Sequence, residues 1–163
     1  MIVMKRTAAF GLLLLLVAAF TAQAQIDKGV YYKALSSGEE ASIDKVLARL
    51  ENEKSSSKVN AYKGALTMKK AGFVKGVGGK VKTFKKGAGL LEDEIKSNPG
   101  NTEFRFLRLT VQEHAPGILK YNKEIDADKQ AVVSGYDKLD ADLKNVIADY
   151  AKDSKVLKES DLR

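Results

Sequence analysis

The chain has 163 residues, 44% apolar and 30% charged, with 28 Lys and Arg against 21 Asp and Glu for a formal charge of +7. It has no Cys, no Trp, one His and two Pro, which excludes disulfides, thiol nucleophiles, Cys-ligated zinc and iron–sulfur clusters. The apolar fraction is too high for a disordered chain, and the length suits one domain.

Lys5 and Arg6 precede an apolar run from Ala8 to Phe20, followed by Thr21-Ala22-Gln23-Ala24-Gln25. That run suits the apolar region of a secretory leader and is shorter than the ~18 residues of a spanning helix. Ala22 and Ala24 supply the small-x-small pattern that a signal peptidase needs. Residues 1–24 therefore read as a signal peptide cut after Ala24, and the protein is expected in the periplasm or outside the cell. No Cys follows the run, so a lipobox anchor is excluded. The mature chain of 139 residues keeps 26 basic and 21 acidic groups. A chain of that size can bury roughly two-thirds of its unfolded surface without disulfides.

Helical periodicity runs through the mature chain, with no convincing strand. Asp27 to Ser36 reads as a first short helix, broken at Ser37-Gly38. Glu39 to Glu53 carries Ile43, Val46, Leu47 and Leu50 at amphipathic spacing. Ser55-Ser56-Ser57 can cap a helix reaching Phe73, with Val59, Tyr62, Leu66 and Phe73 on one face. Val74 to Lys82 is rich enough in glycine to read as a loop, after which Thr83 would cap a helix burying Phe84, Ala88, Leu91 and Ile95. Asn98-Pro99-Gly100-Asn101 ends it, and Asn101 or Thr102 caps the next, which carries Phe104, Leu107 and Val111 and stops at Ala115-Pro116-Gly117. Ile118 to Asn122 reads as a connector, Asp126 to Leu139 as a helix, and Asp140 opens the last one, with Leu143, Ile147 and Tyr150. Residues 25–153 thus form a single all-α domain of six or seven short antiparallel helices, a bundle or an α-solenoid fragment. Residues 154–163 read as a polar, frayed tail, although Val156 and Leu157 could dock.

Phe84, Gly87, Leu91, Ile95 and Pro99, followed by the turn at Asn98 to Asn101, resemble a tetratricopeptide-type repeat junction. The small residues Gly87, Ala88 and Gly89 would let a neighbouring helix approach closely. The stretch Arg105 to Asn122, with Glu113-His114-Ala115-Pro116 and Tyr121-Asn122-Lys123, also resembles a family of small exported bacterial all-helical proteins to which no activity is assigned. The two likenesses imply a helical fold and an address, not a mechanism.

Candidates for chemistry are few. His114, the one histidine, falls in the last turn of a predicted helix, where it suits the dipole, and no nucleophile motif accompanies it. Asp126-Ala127-Asp128 and Asp140-Ala141-Asp142 open helices, where acids are favourable, and residues two apart cannot clamp one ion. Gly76-Val77-Gly78-Gly79-Lys80 lacks the glycine and hydroxyl positions of a phosphate loop. No metal site or cofactor is therefore expected.

Charge is the most informative feature. Between Glu53 and Glu92 lie 38 residues with ten lysines and no acid. Lys75, Lys80 and Lys82 in the glycine-rich loop, with Lys85 and Lys86 just after it, form a candidate anion-binding patch. Nucleic acid is disfavoured, since Arg49, Arg105, Arg108 and Arg163 are the only arginines of the mature chain and none lies in the block. The expected function is a non-catalytic helical module that binds a protein partner. The alternatives are a peripheral envelope protein holding anionic lipid or lipopolysaccharide through the lysine block, and an envelope hydrolase using His114 with carboxylates.

Overall fold

The computed structural model describes residues 26–163. The leader, with Ala22 and Ala24, lies outside them. Among the described residues the chain is all-helical and strandless, with α-helices α1 (Lys28–Ser36), α2 (Glu40–Glu51), α3 (Ser57–Lys70), α4 (Val77–Ser97), α5 (Thr102–His114), α6 (Ile125–Gly135) and α7 (Ala141–Asp153). Short 3₁₀ turns follow α5, α6 and α7 at Gly117–Leu119, Tyr136–Lys138 and Glu159–Leu162. None of these helices is long and apolar enough to cross a membrane.

Four helix starts are fixed by side chains that accept an orphan amide of the first turn. Asp27 takes the Val30 amide at 2.9 Å, Ser56 that of Val59 at 3.2 Å, Asn101 that of Phe104 at 3.1 Å and Asp140 that of Leu143 at 3.0 Å. The outer helices bury one stripe each, such as Ile43, Val46 and Leu50 on α2 or Leu143, Ile147 and Ala151 on α7. α3 and α5 differ: Val59, Ala61, Tyr62, Gly64, Ala65, Leu66 and Met68 of α3, and Phe104, Phe106, Leu107, Arg108, Leu109 and Gln112 of α5, are all buried, so each is covered almost all round.

Two expectations are overturned. The run from Val74 to Lys82 is not a loop throughout. Gly76 takes a positive φ of 74° and ends the link, and α4 begins at Val77 with no side-chain cap. Thr83 therefore lies inside α4 and caps nothing. Gly78 and Gly79 each cost about 1 kcal/mol relative to Ala in a helix. That cost is offset because they extend a helix of 21 residues already held by the burial of Phe84, Leu91 and Ile95. The second correction concerns residues 154–163. They are docked rather than frayed: Leu157 is fully buried, Ser154 Oγ accepts the Leu157 amide at 3.0 Å, and Lys129 pairs with Asp161 at 2.8 Å.

α3 and α4 pack closest of all, through Gly64 and Gly87. A Cβ on Gly64 would lie 2.8 Å from the Gly87 carbonyl oxygen and from the Leu91 amide nitrogen. One on Gly87 would lie 2.6 Å from the Gly64 carbonyl oxygen and 2.7 Å from the Met68 amide nitrogen. Gly64 thus faces Leu91 while Met68 faces Gly87, so the two helices run antiparallel. Of the small residues 87 to 89, only Gly87 is used in this way, because a Cβ on Gly89 meets open space. The expected outcome of Gly87→Ala is a loss of about 1–3 kcal/mol by overpacking against backbone, despite the better helix propensity of Ala. Gly89→Ala should instead gain up to about 1 kcal/mol. Urea unfolding midpoints of the two variants check both signs.

Candidate binding groove

An open groove of about 1050 Å³ is walled by α1, the end of α3, the start of α4, α5 with the turn after it, and α7. Its lining is mainly apolar. Tyr32, Phe106 and Tyr150 pack beneath it, with centroids 5.8 Å apart for Tyr32–Phe106 and 5.3 Å for Phe106–Tyr150; Tyr32 and Phe106 are buried, and Tyr150 is half-buried. Phe73, Phe84 and Val111 complete the walls. Phe84 meets Tyr121 edge-on at 5.1 Å, which ties the start of α4 to the segment that follows α5.

The two tyrosines contribute rings rather than hydroxyls, because both hydroxyls donate to carboxylates of α5. Tyr32 Oη donates to Glu103 at 3.2 Å, and Tyr62 Oη donates to the same oxygen at 2.5 Å. Tyr150 Oη donates to Glu113, as does Ser154 Oγ at 2.6 Å, and the Lys155 amide adds a bond at 2.6 Å. Burial, with a carboxylate alongside, pushes both phenols well above their ordinary range. They stay neutral throughout the physiological range. At Glu113 burial pushes the carboxyl up, but the bonds from Ser154, Tyr150 and the Lys155 amide outweigh it and leave it below its ordinary value.

Behind α5, away from the rings, lies a buried ionic network. Asp128 is fully buried. It accepts from Arg108 Nε at 2.7 Å and Nη2 at 2.8 Å, from Arg105 Nη1 at 3.0 Å and from Gln112 Nε2 at 2.5 Å. Arg108 also reaches Glu92 at 2.7 Å, and Tyr121 Oη donates to Glu92 at 2.6 Å. Burial alone would lower the Arg108 guanidinium, but the carboxylates of Asp128 and Glu92 hold it above its ordinary value. Of the two acid pairs, Asp126 and Asp142 are the exposed helix-opening acids expected, and Asp140 is a cap that also pairs with Lys28. Asp128 is instead the centre of a structural network that the sequence pattern does not announce.

The candidate lysines are separated rather than gathered. Lys75 lies on the link before α4, and Lys80 lies in its first turn and lines the groove. Lys82, Lys85 and Lys86 share the opposite, exposed face of α4. They lie beyond its first turn, not in a flexible loop or at the helix start. Two lysines not singled out from sequence, Lys33 on α1 and Lys69 on α3, line the groove beside Lys80. Within the block, Lys63 pairs with Glu51 at 3.1 Å and Lys70 with Asp44 at 2.6 Å. His114 is exposed at the groove wall, its Nδ1 3.0 Å from the Thr110 carbonyl oxygen of its own helix. Among the described residues no group of His, Asp and Glu is placed to hold a metal ion.

No protein family, curated protein or solved structure matches the chain.

Two predictions follow from these carboxylates. Asp128→Ala strands two guanidiniums beside a buried void and should cost about 3–5 kcal/mol, read as a lower urea midpoint. Glu113 is stabilising in its charged form, because its folded pKa lies below the unfolded one. That contribution is complete above the ordinary value near 4.5 and is lost as the pH falls below it. Glu113→Gln should therefore be less stable at neutral pH, and its melting temperature should fall less steeply than the parent's between about pH 5 and about pH 3.

Proposed function

We propose that the mature protein is an exported, non-catalytic binding protein whose groove receives the apolar part of an amphipathic small ligand. The observation that carries this reading is a mainly apolar groove of about 1050 Å³, into which Phe73, Val111 and Tyr150 bring half-buried apolar side chains. Binding sites for small molecules are concave, mainly apolar, and of roughly 300–1,000 Å³. Here the hydroxyls are drawn off to Glu103 and Glu113, so a ligand meets the half-buried rings of Phe73 and Tyr150 and aliphatic groups such as Val81, Val111 and Val146. The polar groups that remain, Lys33, Lys69, Lys80, His114, Asp149 and Asp153, could fix its polar end.

The hydrolase alternative draws little support. Glu103 and Glu113 are taken up by tyrosine, serine and amide donors, and Asp128 is sealed behind α5. The protein-partner reading uses the same groove, with an amphipathic helix laying its apolar side chains on the rings. Such a helix would compete with a small probe.

The test is titration of the mature protein with N-phenyl-1-naphthylamine, an uncharged probe that fluoresces in apolar surroundings. Saturable one-to-one binding is expected, displaced by oleate. Val111→Trp and Val81→Trp, which place bulk in the groove, should weaken it at least about tenfold with unchanged circular dichroism. No saturable binding by the parent protein, or full-strength binding by both variants, would overturn the reading.

A further inference from the structure

Few large apolar side chains of the described residues stand well out in solvent, and two that do belong to the groove. Val77 is 75% exposed and Ile118 is 83% exposed, and both line it. They come from different segments, the first residue of α4 and the 3₁₀ turn after α5. Phe84 against Tyr121 holds those two segments together. Neither side chain is needed by the core, and each stands beside cations: Val77 between Lys75 and Lys80, Ile118 two positions before Lys120.

The charge at this rim is likewise left over by the fold. Lys33, Lys69 and Lys80 line the groove, and none has an acid within 4.0 Å among the described residues, in contrast to Lys63 and Lys70 nearby. The groove's acids, Asp149 and Asp153, both belong to α7, and Asp149 is paired with Lys152 at 2.7 Å. The groove's unpaired lysines therefore come from α1, α3 and α4 and its protruding aliphatic side chains from α4 and the turn after α5, while its acids come from α7.

We infer that this rim is a membrane-docking surface, on which Val77 and Ile118 enter the headgroup region of an anionic phospholipid bilayer while Lys33, Lys69 and Lys80 face its phosphates. Apolar side chains beside lysines are what interfacial binding uses. The apolar groups gain from leaving water, and each lysine gains from the negative surface potential. A soluble protein partner would cover the same aliphatic groups, but protein interface cores are depleted in charged residues, lysine included, and here three lysines line the same groove. Docking here would turn the mouth of the groove toward the lipid, so an amphiphile could pass between bilayer and groove without crossing water. That last consequence rests on the binding function proposed above; the docking itself does not.

The experiment is co-sedimentation of the mature protein with vesicles of phosphatidylglycerol and phosphatidylcholine in equal parts, against phosphatidylcholine alone, in about 0.15 M salt, where charges more than about 8 Å apart are screened. The inference expects binding to the mixed vesicles at least about tenfold above that to neutral ones. Val77→Asp with Ile118→Asp should abolish most of it with every lysine intact, and Lys33→Glu, Lys69→Glu and Lys80→Glu together should do the same. Reversing Lys82, Lys85 and Lys86, on the far face of α4, should cost much less. If the parent binds both vesicles equally, if the aspartate pair retains full binding, or if the two triple reversals lose the same amount, the inference fails. Circular dichroism confirms folding, and Lys→Gln versions replace any reversal that unfolds. N-phenyl-1-naphthylamine binding by the aspartate pair separates the two proposals: retained probe binding with lost docking leaves the groove reading in place.

Discussion

The arrangement depends on how α5 satisfies its polar side chains. This helix is covered nearly all round, yet it carries Glu103, Arg105, Arg108, Gln112 and Glu113. Charges at such positions are tolerated only when each finds a partner. Each partner comes from a different part of the chain. Tyr32 of α1 and Tyr62 of α3 serve Glu103, Asp128 of α6 and Glu92 of α4 serve Arg108, and Tyr150 of α7 with Ser154 serves Glu113. The apolar stripes supply the gain from burial, but stripes alone tolerate sliding and rotation. The polar contacts of α5 permit one placement of its neighbours.

The same contacts decide the character of the groove. A tyrosine at the edge of a cavity would ordinarily present its hydroxyl to it. Here Glu103 and Glu113 draw those hydroxyls away, so the floor is as apolar as phenylalanine would make it while the tyrosines still hold α1 and α7 in place. A fold shaped for stability alone gains by filling such a space with side chains. This one surrounds it with ties that keep it open.

Helix starts at Asp27, Ser56, Asn101 and Asp140 were legible in the sequence, because a cap is read within three residues of itself. The start of α4 was not. Local propensity argues against a helix through Gly78-Gly79, and what overrules it is the burial of Phe84, Leu91 and Ile95 further along with the close pass of Gly87 over Gly64. The docking of residues 154–163 was hidden for a related reason. The atom that holds Ser154 and Lys155 is the Glu113 carboxylate, some 41 residues earlier. Phe73, Phe84 and Tyr150 read as core from their spacing; Phe84 is buried, whereas Phe73 and Tyr150 stay half-buried at the groove, a difference that spacing alone does not show. The excess of lysine was plain, but its division between the groove rim and the far face of α4 turns on where that helix begins.

Among the helix starts, α4 departs from a rule that the rest of the chain follows. Every other α-helix has a side-chain cap or an acid in its first turn: Asp27, Glu40, Ser56, Glu103 with Asn101, Asp126, and Asp142 with Asp140. Those choices oppose the positive end of the helix dipole, at about 0.3–1 kcal/mol each. α4 has neither, and it carries Lys80 in its first turn, where a cation is disfavoured. Such a departure by itself names no ligand. It does indicate that this end of α4 is not arranged for the stability of the free protein. The exposed Val77 and Ile118 make the same point in apolar terms, since water penalises both. A cation at the positive end of a helix and aliphatic surface in water, each unfavourable in solution, become favourable together at one kind of boundary, where an anionic layer covers an apolar one.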